Sequence, residues 1–233
     1  VVNLGGLSND PTAEYNPQAN RQMNTEASVA LARMCVEQGV KRYVFASTCS
    51  IYDRGIGQDD ADFLQDETTA VEPRAAYSSS KYAAERELLA LASDSFCVAI
   101  LRKGTLYGFS PRMRYDLVVN TFIKDALSKG YLTMHYGGEM WRPLLDVRDA
   151  ARAYIACIEA DAGKVNGEIF NLTYRNLRIS ELALRVRSAL NEVGVAADIR
   201  PDYGYKGVRS YRVSGKKIEQ VLDFQPLVSV EES

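Results

Sequence analysis

Tyr77 and Lys81 stand four residues apart, so on a helix both side chains share one face. An ammonium beside a phenol favours the phenolate and brings its pKa towards the range where a general acid/base works. A Tyr-x-x-x-Lys spacing is weak alone in a chain holding 14 tyrosines, and position gives it weight. The pair opens a predicted helix, residues 75–93. That helix follows a strand ending in Ser47-Thr48-Cys49-Ser50, so the Thr48 hydroxyl can reach the same cleft. Two further strand ends, Gly5-Gly6 and Arg102-Lys103-Gly104-Thr105, are also small, polar or glycine-rich. Such ends suit close approach by a flat polar ligand, although Gly and Ser also simply make turns.

Composition narrows the chemistry. The 233 residues carry 28 basic and 30 acidic side chains, a net charge of −2, which removes the electrostatic footprint of a nucleic-acid or anionic-membrane binder. No apolar run approaches the ~18 residues of a membrane span. Cys35, Cys49, Cys97 and Cys157 are widely spaced and His135 is the only histidine, so no metal site of the Cys/His kind is expected. Four cysteines in a chain of this size do not read as a secreted disulfide framework. A reducing cytoplasm is the expected compartment.

The elements that must position these residues read as alternating strand and helix. Residues 1–4 form a short apolar strand stopped by Gly5-Gly6. From 17 to 38, Met23, Ala27, Ala30, Leu31, Met34 and Cys35 recur at helical spacing, with Gly39 as the stop. Residues 43–46 make a second buried strand, and 97–101 a third beyond the helix of Tyr77. That rhythm implies right-handed parallel crossovers, hence an α/β fold with a doubly wound parallel sheet. The second half is less regular. It reads as a helix over 117–129 closed by Gly130, strands near 132–136 and 144–147, and a helix over 148–160. A strand over 168–172 and a helix over 179–193 follow.

Several of these segments together resemble a known family. Asn3-Leu4-Gly5-Gly6-Leu7-Ser8, Asn24, Phe45-Ala46-Ser47-Thr48-Cys49-Ser50-Ile51-Tyr52 and Tyr77-Ser78-Ser79-Ser80-Lys81 look like the extended short-chain dehydrogenase/reductases. Its best-known members are NAD-dependent nucleotide-sugar epimerases and dehydratases. The likeness continues through Leu101-Arg102-Lys103-Gly104-Thr105-Leu106-Tyr107-Gly108 and Arg142-Pro143-Leu144-Leu145-Asp146-Val147-Arg148-Asp149. It ends with Phe170-Asn171-Leu172 and Arg209-Ser210-Tyr211-Arg212-Val213, in the family's order.

The resemblance implies a Rossmann-type fold, with NAD or NADP as cofactor (NAD favoured) and a nucleotide sugar or other small molecule as substrate. Residues 1–115 would be a partial dinucleotide-binding domain. Residues 116–233 would be mainly a substrate-binding region, with some segments returning to the sheet. Tyr77 would take a proton from a sugar hydroxyl, commonly the 4-hydroxyl, while Lys81 holds the nicotinamide ribose and Thr48 hydrogen-bonds the reacting oxygen. Leu4, Gly5, Gly6, Asn24, Ala46 and Ser47 would line the cofactor groove, with Lys103 and Gly104 flanking the nicotinamide. Cys49, Ser50, Thr105 and Asn120 would face substrate. Arg142 and Arg209 are the candidates for a substrate diphosphate, because a guanidinium fork suits phosphate oxygens; simple surface solvation is their alternative. The family commonly dimerises through two helices per subunit, here 17–38 and 75–93, with Val29 and Val36 as outward apolar residues.

Three departures qualify the likeness. Cys49-Ser50 stand where sugar 4,6-dehydratases of the family carry Asp-Glu, so elimination of water is not expected. Lys103 stands where family members often have Tyr or another uncharged residue. The family's Gly-x-x-Gly-x-x-Gly turn has no match, since Gly5-Gly6 and Gly55-x-Gly57 are wrongly spaced and placed. With Val1 in the sheet's fourth strand by this resemblance, the sequence reads as a piece of something longer, lacking roughly two ~30-residue βαβ units. Such a piece should bind cofactor poorly and lack activity. The alternatives to an epimerase are a keto-sugar or small-carbonyl reductase using the same residues, and a non-catalytic dinucleotide sensor or scaffold.

Overall fold

Two strands rich in apolar residues organise the structure, a computed structural model that describes residues 1–53, 63–204 and 209–233. Strand β1 (Val2–Asn3) leads through α1 (Asp10–Tyr15), α2 (Pro17–Arg21), a π-helical turn (Gln22–Glu26) and α3 (Ala27–Glu37) to β2 (Arg42–Thr48). A 3-10 turn (Cys49–Tyr52) and β3 (Leu64–Gln65) precede α4 (Ala76–Leu89), β4 (Cys97–Lys103) and β5 (Thr105–Tyr107). Next come α5 (Val118–Lys129), β6 (Tyr131–His135), β7 (Trp141–Asp146), α6 (Val147–Glu159) and α7 (Ala162–Val165). Then β8 (Glu168–Leu172), β9 (Arg175–Arg178), α8 (Ile179–Glu192), β10 (Asp198–Asp202), β11 (Arg212–Val213) and α9 (Lys216–Leu222) follow. Gly55 and Gly57 lie outside the described residues.

The main sheet is parallel, in the order β1-β2-β4-β8. Its strands read as continuous apolar runs because helices cover both faces. Tyr43, Phe45, Val98 and Ile100 pack against Val29 and Ala32 of α3 and Ala84 and Leu88 of α4. Their alternating neighbours Val44, Ala46, Ala99 and Leu101 pack against Ala150, Ala153, Tyr154 and Cys157 of α6. A second core joins α5, α8 and the smaller strands through Val119, Phe122, Leu132, Leu144, Leu182 and Val186. Strand β8, from the second half, completes the main sheet beside β4.

The helix expected over 17–38 differs in two ways. Its middle is a π turn, in which the Ala27 N–H reaches back to the Gln22 carbonyl. Its buried face is also not the predicted stripe. Asn24, Thr25, Ser28, Val29, Ala32 and Cys35 point inward, whereas Met23, Leu31 and Met34 are exposed. Val29, expected to face outward, is therefore a core residue, while Val36 does face outward. Close approach of α3 to α4 and β2 selects small inward residues, so side-chain size rather than hydropathy marks the buried side here.

Strand β5, absent from the sequence reading, starts at Thr105 and pairs with β7 in parallel, Thr105 opposite Leu144. Gly104 makes the step from β4 to β5 possible. A Cβ there would sit 2.8 Å from the Pro143 carbonyl oxygen, so only glycine lets the two backbones come this close.

Candidate active site

Helix α4 carries Tyr77, Lys81 and Glu85 at intervals of four, one above another on a single face. Lys81 is 3% exposed, and its Nζ donates to the Gly5 carbonyl at 3.4 Å while lying 4.7 Å from the Phe45 ring centroid. The turn after β1 is thus held against the lysine. Gly6 has φ +131°, and a Cβ there would lie 2.2 Å from Asn24 Oδ1 and 3.3 Å from Lys81 Nζ, so only glycine fits. Leu4, Gly5 and Gly6 are exposed, leaving this turn open to a ligand.

Asn24, in the π turn, is fully buried. Its Oδ1 accepts from the Leu7 N–H at 2.8 Å, and its Nδ2 reaches the Leu7 carbonyl at 2.9 Å, Asn20 Oδ1 at 2.8 Å and Ser80 Oγ at 3.1 Å. The asparagine therefore fastens the turn after β1 to α4 and acts from beneath the groove.

Three other residues expected at ligand surfaces have side chains beneath the site. Ala46 is in the core that faces α6. Ser47 spends its hydroxyl on Glu85 Oε1. Cys49 is fully buried, its thiol donating to the Arg102 carbonyl at 3.0 Å, and burial pushes its pKa well above the thiol range. Its side chain therefore cannot form the substrate wall. The strand ends are where the sequence puts them, but both faces of β2 are covered by helices and the 3-10 turn folds Cys49 inward, so these side chains lie inside the protein.

Glu85 and Arg102 form an ion pair that sequence reasoning missed. Arg102 Nε donates to Glu85 Oε1 at 3.0 Å and Nη2 to Oε2 at 2.6 Å, with side-chain exposures of 3% and 1%. Arg102 Nη1 also donates to the Tyr52 hydroxyl at 2.7 Å, which donates to Asn171 Oδ1 at 2.9 Å. This chain ties α4 to β2, β4 and β8 directly under Lys81. Glu85 falls one turn beyond Lys81, but nothing in the spacing points to Arg102.

At the sheet edge, Thr48 pairs in register with Lys103. The half-buried Thr48 hydroxyl donates to Ser50 Oγ at 3.0 Å and accepts from the Ser50 N–H at 3.1 Å, capping the 3-10 turn. Ser50 itself is buried. Lys103 is half-buried, its Nζ 5.6 Å from the Tyr154 ring centroid, and Gly104 is buried behind it.

These two lysines give the site its electrostatic character. Burial pushes the Lys81 ammonium down to about 7, assisted by repulsion from Lys103 and opposed by Glu85. Burial likewise pushes Lys103 down to about 8, with Cys49 opposing. A lysine with a depressed folded pKa binds fewer protons folded than unfolded, so it penalises folding. For Lys103 that penalty is full below about pH 8 and fades towards the usual 10.5. Lys103→Met is therefore expected to raise the unfolding temperature at neutral pH, and its advantage should shrink between about pH 8 and 10. Scanning calorimetry across that range checks this; an advantage independent of pH contradicts it.

The candidate phosphate arginines come together. Arg142 Nη1 donates to the Arg209 carbonyl and, at 2.8 Å, to that of Trp141, and its guanidinium lies 5.6 Å from the Tyr211 ring centroid. Arg209 Nε lies 4.0 Å from Asp53 Oδ2. Asn120, 6% exposed, donates to the Arg114 carbonyl at 3.1 Å. Arg114 was missed from sequence. It grips Asp116 through Nε at 2.8 Å and Nη2 at 2.7 Å, donates from Nη1 to Ser8 Oγ at 2.9 Å, and interacts electrostatically with Tyr77. It thereby links the Asn120 segment to the turn after β1. His135 sits in β6 with Nδ1 2.9 Å from Asp202 Oδ2. Among the described residues, no three or more His, Cys, Asp or Glu side chains cluster to hold a metal, and no helix is long and apolar enough to cross a membrane.

A parallel sheet covered on both faces, with a Tyr–Lys helix against its strand ends, defines a Rossmann-type α/β protein of the short-chain kind. The sequence matches the NAD dependent epimerase/dehydratase family over residues 1–173, and the chain belongs to that family. It is 29% identical over 205 residues to a UDP-N-acetyl-alpha-D-glucosaminuronate decarboxylase of Bacillus cytotoxicus, covering 84% of this chain and 62% of that protein. It is also 29% identical over 154 residues to UDP-glucose 4-epimerase of Vibrio cholerae, covering 64% of this chain and 43% of the relative. The chain thus spans from under half to about 60% of the length of these relatives. Among solved structures it is similar to UDP-glucose 4-epimerase of Thermotoga maritima, determined with UDP-glucose. The TM-score is 0.85 with 24% identity, over all of this chain and 73% of that one, a likeness of fold.

Proposed function

We propose that this site acts with NAD or NADP on a nucleotide sugar, epimerising it through transient oxidation of a ring hydroxyl. One observation carries the reading: α4 sets Tyr77 and the buried Lys81 on one face, with the lysine seated against the open Gly5-Gly6 turn. Membership of the NAD dependent epimerase/dehydratase family supports it, as do the UDP-sugar names of the relatives.

The residues fit the nicotinamide–ribose end of such a cofactor. A glycine turn without side chains lies open at Gly5-Gly6, and a buried ammonium beside it suits ribose hydroxyls. When bound, the cofactor supplies the acceptor and donor of a hydride. Tyr77 Oη removes the hydroxyl proton, and the positive charges of Lys81 and Arg114 favour the phenolate that does so. The Thr48 hydroxyl, released from Ser50, hydrogen-bonds the reacting oxygen. Arg142 and Arg209 orient the diphosphate, with Thr105, Asn120 and Ser50 lining the sugar side. Leu4, Gly5 and Gly6 bound the cofactor groove, while Lys103-Gly104 flank the nicotinamide.

Residues 1–115 act mainly as the dinucleotide half and 116–233 as the substrate half, with β8 returning to the sheet. The exposed Met23 of the π turn and Leu31 and Met34 of α3 support a homodimer through this helix and α4. All four cysteines are free and buried, which supports a reducing cytoplasmic setting.

The test is turnover of UDP-sugars with NAD by the full-length protein, read by NMR of the sugar and by cofactor balance. An epimerised sugar with cofactor conserved is the expected result. Stoichiometric consumption of NADH or NADPH with a keto-sugar would instead identify a reductase, and no turnover of any UDP-sugar contradicts the proposal.

A further inference from the structure

Among the described residues, two lysines stand at the sheet end of the site without a paired carboxylate. Arg102 is matched by Glu85 and Arg114 by Asp116, whereas neither Lys81 nor Lys103 has a carboxylate within ion-pair distance among the described residues. Glu85 attracts Lys81 from further off, but its oxygens are already engaged by Ser47 and Arg102. Lys81 Nζ meets the Gly5 carbonyl and the Phe45 ring, and Lys103 Nζ lies over the Tyr154 ring. Tyr154 comes from α6, while Cys49 from the 3-10 turn and Lys81 from α4 supply the other ionisable groups acting on Lys103.

Position matters as much as charge. The β2–β4 ladder sets Lys103 opposite Thr48, so this second ammonium stands at the same sheet edge as the hydroxyl that meets the reacting oxygen. A poorly solvated, unpaired cation there is costly alone and gains strongly from an entering oxyanion. A neutral hydroxymethyl group offers it only a weak acceptor.

We propose that Lys103 makes this site selective for a sugar bearing a carboxylate beside the reacting carbon, with the carboxylate lodged against Lys103 Nζ. This rests on the nucleotide-sugar reading above. A cofactor phosphate offers the same oxyanion chemistry, and the experiment separates the two sources.

The full-length protein is titrated calorimetrically with UDP-glucuronate, UDP-glucose and NAD, each sugar with and without NAD, as wild type, Lys103→Met and Lys103→Arg. Wild type should bind UDP-glucuronate at least about tenfold more tightly than UDP-glucose, the size of one charge-assisted hydrogen bond. Lys103→Met should bring that ratio to about one, and Lys103→Arg should keep most of it. A wild-type ratio near one, or a ratio that survives Lys103→Met, overturns the proposal while leaving the nucleotide-sugar reading intact. So does a loss of NAD affinity in Lys103→Met with the sugar ratio unchanged, which would assign the cation to a cofactor phosphate. If neither sugar nucleotide binds wild type, the nucleotide-sugar reading fails and this one falls with it.

Discussion

On the proposed function, Tyr77→Phe is expected to lower turnover of a nucleotide sugar by at least about 100-fold and to leave its affinity within a few-fold. The change deletes one oxygen and keeps the ring, so α4 and its packing are undisturbed. What disappears is the group that, in the proposed reaction, takes the proton from the sugar hydroxyl. Because that interaction develops in the transition state, the loss falls on kcat rather than on binding. Steady-state kinetics together with calorimetric titration read the two separately. Near-normal kcat in Tyr77→Phe removes the tyrosine from the chemistry, and with it the reason for placing Lys81 beside it.

The largest effect on stability is expected from Glu85→Gln. The substitution preserves shape but leaves Arg102 as a buried charge whose counter-ion is gone, with Ser47 and Tyr52 attached to the same network. Breaking one partner of a buried pair costs about 3–5 kcal/mol, which is a large share of a domain's stability. Replacing both partners by well-packed apolar residues is often neutral, so Glu85→Leu/Arg102→Met should regain much of that loss. Urea unfolding of the three proteins measures this. A single variant within about 1 kcal/mol of wild type shows that the pair is not the clamp between α4 and the sheet. The same helix face carries Tyr77 and Lys81, so loosening the pair should also blur the site.

The parts legible in the sequence were those whose signal is local. Continuous apolar runs announced β2 and β4, Gly39 and Gly130 marked helix ends, and the four-residue spacing placed Tyr77 and Lys81 on one face. Other features depend on partners far along the chain. Arg102 meets Glu85 across 17 positions and Tyr52 across 50, and no periodicity encodes such a meeting. The π turn at Asn24 is a change of backbone pairing that leaves no mark in residue types. Strands β3, β9 and β11 span two to four residues, too short for alternation to show. In α3 the hydropathy pattern misled, because close packing filled the inner face with Ser28 and Ala32 and left Leu31 and Met34 outside. Helices cover both faces of β2, so the consecutive Ala46 and Ser47 at its end turn their side chains into the protein on opposite sides, one towards α6 and one towards Glu85 of α4.

The central claim is that Tyr77, Lys81 and Thr48 support removal and return of one hydrogen at a sugar carbon. Its most direct test follows the hydrogen itself, using a UDP-sugar deuterated at carbon 4 and supplied with NAD. The account predicts slower turnover than with the protiated sugar and an epimerised product that keeps its deuterium at the same carbon. Loss of that deuterium to solvent, or epimerisation at an unchanged rate without NAD, contradicts it.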